Sequence, residues 1–208
     1  MENKIKLRGI VQNIRYSHNV GDIEYNKADL IVKRFDDKED ILTIKFKKFS
    51  TILEENSNIE LEGNIRSFSK QVEGRNKVDV YVFSYLDKLE EELTDDNSAI
   101  LEGKLCKKDT LRTSFNGKQY IHFILANNIV SESSQRLNSY IPCVAWGKLA
   151  KDIDANYDIS DFMSLTGQLH SREYKKKLDN GDLEIRIAHE FAVLDIKDNT
   201  SDEVWVFI

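Results

Sequence analysis

At 208 residues, the chain has room for one large domain or for two of about a hundred residues each. Its net charge of −6 argues against a surface that is basic throughout, though a locally basic groove is compatible with it. No apolar run is long enough to span a membrane, no signal peptide is expected, and Cys106 and Cys143 match no metal or redox spacing; they read as reduced thiols of a cytoplasmic protein. Ile5, Leu7, Gly9 and Val11 then alternate with polar residues, the period of a half-buried strand. Further strands are expected at 28–33, 41–47 and 59–65, and Val78, Val80 and Val82 make a fifth. The run FSTILEE at 49–55 breaks the alternation with apolar residues at i, i+3 and i+4, and predicts one or two helical turns. An acidic stretch at 89–98 predicts a linker or a short helix.

The second half repeats the order. Strands are expected at 99–105, 120–126, 140–146, 161–174 and 184–194, with a short helix over 148–153. The landmarks recur as well. Ile59, Leu61, Gly63, Ile65 answer to Met163, Leu165, Gly167, Leu169, and Ile5, Leu7, Gly9, Val11 to Ala99, Leu101, Gly103, Leu105. ILTIKFKK at 41–48 is laid over IPCVAWGK at 141–148, which sets Phe46 against Trp146 and Lys48 against Lys148. Five strands with a helix between the third and fourth is the order of the OB-fold, a small Greek-key barrel. Glycines in the middle of strands one and four suit a sheet that must bend to close. The expected fold is therefore all-β, with a divergent OB-fold at 1–88, the linker at 89–98, a second OB-fold at 99–197 and an acidic-aromatic segment at 198–208.

The motifs of the second half carry a resemblance. NSAILEG at 97–103, LRT at 111–113, YIPCVAWGKLA at 140–150, GQLHSREY at 167–174 and EFAV at 190–193 together resemble the bacterial single-stranded DNA-binding protein family and its primosomal relatives. The resemblance implies sequence-tolerant binding of single-stranded DNA in replication, recombination or transfer of a mobile element, with nucleoid association and no cofactor. Its aromatic positions fall on Tyr140, Trp146 and Tyr174, and its basic position on Arg172. Every base has a π-face, so stacking suits a binder that tolerates any sequence. On the expected strand, Ile141, Cys143 and Ala145 have the parity of a barrel interior, which turns Tyr140 and Trp146 outward. A parity shift at a bulge would instead make Trp146 a core residue. Arg112, Lys148, Lys175 and Lys176 are the candidate phosphate contacts of this half, though a lysine run is also what a solvated turn carries.

In the first half, Phe46 with Lys45 and Lys48, and Arg66 with Phe68 after Gly63, are candidate contacts by position in the repeat. The rival reading is a first barrel that has lost binding and serves assembly. Family members carry one barrel per chain and assemble as tetramers, so a homodimer of this chain would also hold four. They end in a glycine-rich linker and an acidic Pro-Phe tip that recruits replication and repair proteins. Here acids precede Trp205, Phe207 and Ile208 without the proline, which is either a recruitment peptide or a final packed strand. No catalytic motif is present, and no enzyme is expected. The alternative function is an OB-fold scaffold of a replication or recombination complex with weak DNA affinity. Single-stranded RNA is a third candidate ligand, because stacking does not read the 2′-hydroxyl.

Overall fold

The computed structural model describes residues 1–48, 53–72, 75–88, 96–130, 136–177 and 181–197. Eleven strands and one helix account for most of them: β1 (Asn3–Val20), β2 (Ile23–Lys33), β3 (Glu39–Lys47), β4 (Asn58–Val72), β5 (Arg75–Lys88), β6 (Asp96–Lys108), β7 (Arg112–Thr113), β8 (Gln119–Val130), β9 (Arg136–Trp146), α1 (Lys148–Asn156), β10 (Phe162–Lys177) and β11 (Leu183–Ile196). The first-half helix expected at 49–55 falls largely outside the described residues, and so does most of the linker. β6 begins at Asp96 and so takes in Asn97 and Ser98, which the alternation pattern assigns to that linker.

Each half closes a ring of strands. β1 pairs with β2 and β4, β3 joins β2 antiparallel and β5 parallel, and β5 returns to β4. β6, β8, β9, β11 and β10 close in the same way, again with one parallel pair, β9 to β11. Alternate residues face each ring's interior: Leu30, Leu42, Ile44 and Ile65 in the first and Leu125, Ile141, Leu165 and Phe191 in the second are 0% exposed. Closure brings backbones close at the barrel glycines. A Cβ on Gly167 would overlap the Ala192 carbonyl and stand 2.8 Å from the Phe191 ring, so no larger residue fits there.

β1 and β6 pair antiparallel and join the two rings into one sheet. Their register is centred on Ile5 opposite Ala99, with Asn3 opposite Leu101 and Leu7 opposite Asn97, so the halves are related by an internal pseudo-twofold. Two buried asparagines obey it. Asn3 donates to the Ile65 carbonyl at 2.8 Å and accepts from the Ile65 N–H at 2.8 Å; Asn97 brackets Leu169 in the same way at 2.6 and 2.9 Å. Each side chain extends the strand ladder where the backbone partner has run out.

The repeat alignment is corrected by one residue in β3. Ile31 faces Ile41, whereas its counterpart Ala126 faces Tyr140, since Gly9 packs on the Ile31 carbonyl as Gly103 packs on that of Ala126. Tyr140 therefore answers to Ile41, Trp146 to Lys47, and Phe46 to Ala145. A one-residue slip exchanges the two faces of a strand. Phe46 is accordingly a core residue at 2% exposure and cannot stack on a ligand.

Candidate nucleic-acid interface

The outer face of the second ring begins on β9. Ile141, Cys143 and Ala145 point inward at 0–1% exposure, and Tyr140 and Trp146 stand 45% and 40% exposed. Val144 shares their parity but is covered, because the parallel pairing with β11 sets Ala192 beside it. Trp146 lies directly across from Tyr120, with ring centroids 5.0 Å apart, and the Lys118 Nζ is 5.8 Å from the tryptophan ring. Tyr120 meets His122 edge-on at 5.3 Å; His122 Nε2 is 3.8 Å from Glu190, and Arg172 Nε is 3.8 Å from the same carboxylate. A continuous track thus crosses four strands from Trp146 to Arg172. Tyr120 and Lys118 are absent from the sequence-derived candidates. Their signal was available: Tyr120 opens the strand that pairs with 140–146, and cross-strand partners share a face.

The other candidates of this half are distributed around that track. Lys148 is exposed at the start of α1 and, with Lys118 and Lys151, lines a shallow cleft of about 510 Å³ beside the β7–β8 turn. Arg112 is exposed on β7, 4.0 Å from Asp109. Lys175 is exposed and Lys176 half-buried on the distal part of the β10–β11 hairpin. Tyr140 is not part of the track. It sits six residues along β9 from Trp146, about 20 Å at the usual strand rise, and its backbone N–H donates to Ser67 Oγ of the first ring at 2.7 Å.

A second concavity, about 550 Å³, opens between the rings. Lys27, Lys45 and Tyr81 line its first-ring side, and Arg172 and Tyr174 its second-ring side. Lys45 Nζ lies 3.7 Å above the Tyr81 ring. Burial raises the Tyr81 phenol above its ordinary pKa, with the nearby Arg66 charge opposing, so the ring stays neutral. Of the remaining first-half candidates, Lys48 pairs with Glu24 at 2.9 Å, Arg66 Cζ lies over the Phe83 ring 3.9 Å from its centroid with Nε buried and without a hydrogen-bond partner, and Phe68 is 58% exposed. Trp205, Phe207 and Ile208 lie outside the described residues. Among the described residues, no His, Cys, Asp or Glu cluster is arranged to hold a metal, and no helix is long and apolar enough to cross a membrane.

The floor between the rings is held by Asp40, which is 0% exposed. Arg34 donates to both its oxygens at 2.8 Å, His170 Nδ1 lies 2.8 Å from Oδ2, and the Ser171 N–H donates to Oδ1 at 2.6 Å. Burial alone would raise the Asp40 pKa; the hydrogen bonds from His170, Arg34 and Ser171 outweigh it and hold the carboxylate well below the usual range. Ser171 Oγ accepts from the Ile41 N–H at 2.8 Å, and His189 Nε2 contacts the Ile41 carbonyl at 2.9 Å. The pseudo-twofold mate of this seam is neutral: Ser139 stands where Asp40 does and accepts from the Ser67 N–H at 3.3 Å.

A closed five-stranded barrel with an exposed tryptophan tilted against a half-buried tyrosine and lysines nearby has the architecture of the OB-fold class. Residues 96–194 match the model of the single-strand binding protein family. A single-stranded DNA-binding protein from Caldanaerobacter subterraneus subsp. tengcongensis is 31% identical over 86 residues, which is 40% of this chain and 57% of that relative's length. Over the whole chain, two crystal structures of the single-stranded DNA-binding protein of Thermus aquaticus share the fold. The wild type superposes with a TM-score of 0.72 at 18% identity, covering 96% of this chain and 93% of that one. A deletion mutant gives 0.71 at 18% identity, covering 97% and 96%.

Proposed function

We propose that the chain is a tandem OB-fold protein, with barrels over 1–88 and 99–197, that binds single-stranded DNA in a sequence-tolerant way through its second barrel. The observation that carries the reading is the exposed Trp146 ring, set 5.0 Å from half-buried Tyr120 within the residues that match the single-strand binding protein family model. Bases stack on Trp146 and Tyr120, while Lys118, Lys148 and Arg172 meet phosphates along the track. Stacking reads no base identity, and phosphate contacts read none either, so the surface suits a coat for exposed strands in replication, recombination or mobile-element transfer. A homodimer would set four barrels along one strand, and residues 198–208 are proposed as a recruitment segment for replication and repair proteins.

Titration of fluorescent oligo-dT at low and moderate salt tests the proposal. Tight binding that weakens steeply with salt and quenches tryptophan emission is expected, from counterion release and stacking. Trp146→Ala should lower affinity by about 1–3 kcal/mol and leave the circular dichroism unchanged, the usual value of one stacked base. A folded variant with unaltered affinity removes Trp146 from the site.

A second reading is favoured by one feature. Leu183, Ile185 and Ile187 alternate along β11 at 63%, 62% and 38% exposure, an apolar stripe suited to protein docking by a scaffold with weak DNA affinity. Absence of oligo-dT binding at low salt would favour that scaffold. Oligo-rU in the same titration separates RNA from DNA as the preferred strand.

A further inference from the structure

Two phenylalanines stand bare on turns of the same build. Phe115 follows Ser114 in the β7–β8 turn and Phe35 follows Arg34 in the β2–β3 turn, each at 106% exposure. In the first turn the Ser114 N–H donates to the Lys118 carbonyl and the Gly117 N–H to the Ser114 carbonyl, both at 2.9 Å. The Lys118 N–H adds a bond to Ser114 Oγ at 3.1 Å, and Gly117 takes φ +76°. In the second turn the Arg34 N–H donates to the Lys38 carbonyl at 2.7 Å and the Asp37 N–H to the Arg34 carbonyl at 3.3 Å, with Asp37 at φ +60°. These bonds fix Phe115 in place on its turn. Serine first and glycine fourth suit such a turn, which makes no demand for phenylalanine second. The ring's burial free energy is left wholly unrealised in the fold. The surroundings of the two rings differ. Asp36, Asp37 and Glu39 follow Phe35, Lys38 is paired with Asp36 at 2.7 Å, and Arg34 with buried Asp40 at 2.8 Å. Beside Phe115, Lys118 reaches to 5.8 Å from the Trp146 ring. Among the described residues, the cleft between this turn and α1 is lined by Lys118, Lys148 and Lys151 and by no acid.

We infer that Phe115 is a further base platform of the second barrel, reached from Trp146 over the β7–β8 turn, with Lys118 and Lys151 taking the phosphates beside it. A base offers a flat π-face and needs no polar group on the turn to stack. The lysine-lined cleft selects a polyanion over an apolar protein surface as what covers the ring. The turn is tied to the track: the Gly147 N–H, next to Trp146, donates to the Gln119 carbonyl at 2.8 Å, and Tyr120 follows Gln119 opposite Trp146. The first barrel has no equivalent, since its counterpart β1–β2 turn is made by Gly21 and Asp22 between Val20 and Ile23. The inference rests on the proposed strand-binding function and adds a base site that belongs to this turn.

The test titrates fluorescent oligo-dT of about 30 nucleotides, longer than one barrel's usual footprint, with wild type and variants. Phe115→Ala should weaken binding about 5- to 100-fold, the span of one stacked base. Its thermal midpoint should stay at the wild-type value, because a fully exposed ring contributes no packing. Phe115→Tyr should bind as wild type does, and Phe115→Leu, apolar but without a π-face, should lose about as much as the alanine variant. Phe35→Ala, the same exposed ring in an acidic setting, should bind as wild type does. Lys151→Ala should reduce the slope of log affinity against log salt by about 0.7, the value of one single-strand phosphate contact. Wild-type affinity in Phe115→Ala or Phe115→Leu, or an equal loss in Phe35→Ala, overturns the platform and leaves strand binding through Trp146 in place. Failure of wild type to bind oligo-dT at low salt takes both readings down.

Discussion

At the scale of residues, exposure and partnership separate the functional side chains from the structural ones. Trp146 and Phe46 are both aromatic and both near the end of the third strand of their barrel. One is 40% exposed and the other 2%. Asp40 shows the converse, a charged residue that is wholly structural. Asp40→Asn should destabilise the fold by roughly 2–3 kcal/mol at neutral pH, as for loss of hydrogen bonds to a charged group. Because the folded carboxylate titrates below its unfolded value, wild type holds this stabilisation above about pH 4 and loses it as pH falls further. The variant should lack that acid limb in chemical denaturation at a series of pH values. A variant of wild-type stability at neutral pH would show that the Arg34 and His170 contacts contribute nothing net.

At the scale of elements, strands β4 and β10 depend on side chains to complete their ladders. Asn97→Ala would leave the Leu169 N–H and carbonyl without the partner that holds them at 2.9 and 2.6 Å. The expected cost is about 1–3 kcal/mol per unsatisfied group, read from the denaturation midpoint. Asn3→Ala should cost more, because Asn3 Nδ2 also donates to Asn127 Oδ1 at 2.9 Å. Equal losses would mean that the Asn127 contact carries no weight. Alternation located β1, β4, β6 and β9 well, since each has one buried face. The expected strand 161–174 stops short of the end of β10 at Lys177, because Lys175, Lys176 and Lys177 read equally well as a solvated turn. Nor did alternation separate Asn97 and Ser98 from the acidic linker, because polar residues in a strand look like loop until their partners are known.

At the scale of the whole molecule, the barrels are joined through β1–β6 and through two seams of different chemistry. The charged seam carries a pH response. Burial lowers the His189 pKa, while its contact with the Ile41 carbonyl and the Asp40, Asp29 and Asp79 charges oppose. A histidine depressed in the folded state contributes stability that is complete above its unfolded value, about 6.5, and is lost as pH falls from there toward the folded value. Thermal stability should therefore decline below about pH 6.5, and His189→Gln should flatten that decline. A decline that persists in the variant assigns it to other groups.

The sequence by itself determined the all-β class of fold and the outward parity of Trp146, because each follows from periodicity that a short stretch of chain carries. It also carried the motifs of the stretch 96–194 that matches the single-strand binding protein family model. The repeat in the sequence does not decide which residue of the first barrel answers to Trp146. Ile41 lies 10 positions after its partner Ile31 (41 − 31), whereas Tyr140 lies 14 after Ala126 (140 − 126), and a slip of one residue costs nothing in a sequence match while exchanging the core and solvent faces of a strand. Only the tertiary structure set Lys27 opposite Lys45, turned both toward Arg172 of the other barrel, and gathered Arg34, Asp40, His170 and Ser171 around one buried carboxylate. Those partners stand as many as 137 residues apart in the chain, and no local pattern can bring them together; the closing of two rings around a shared pair of strands does.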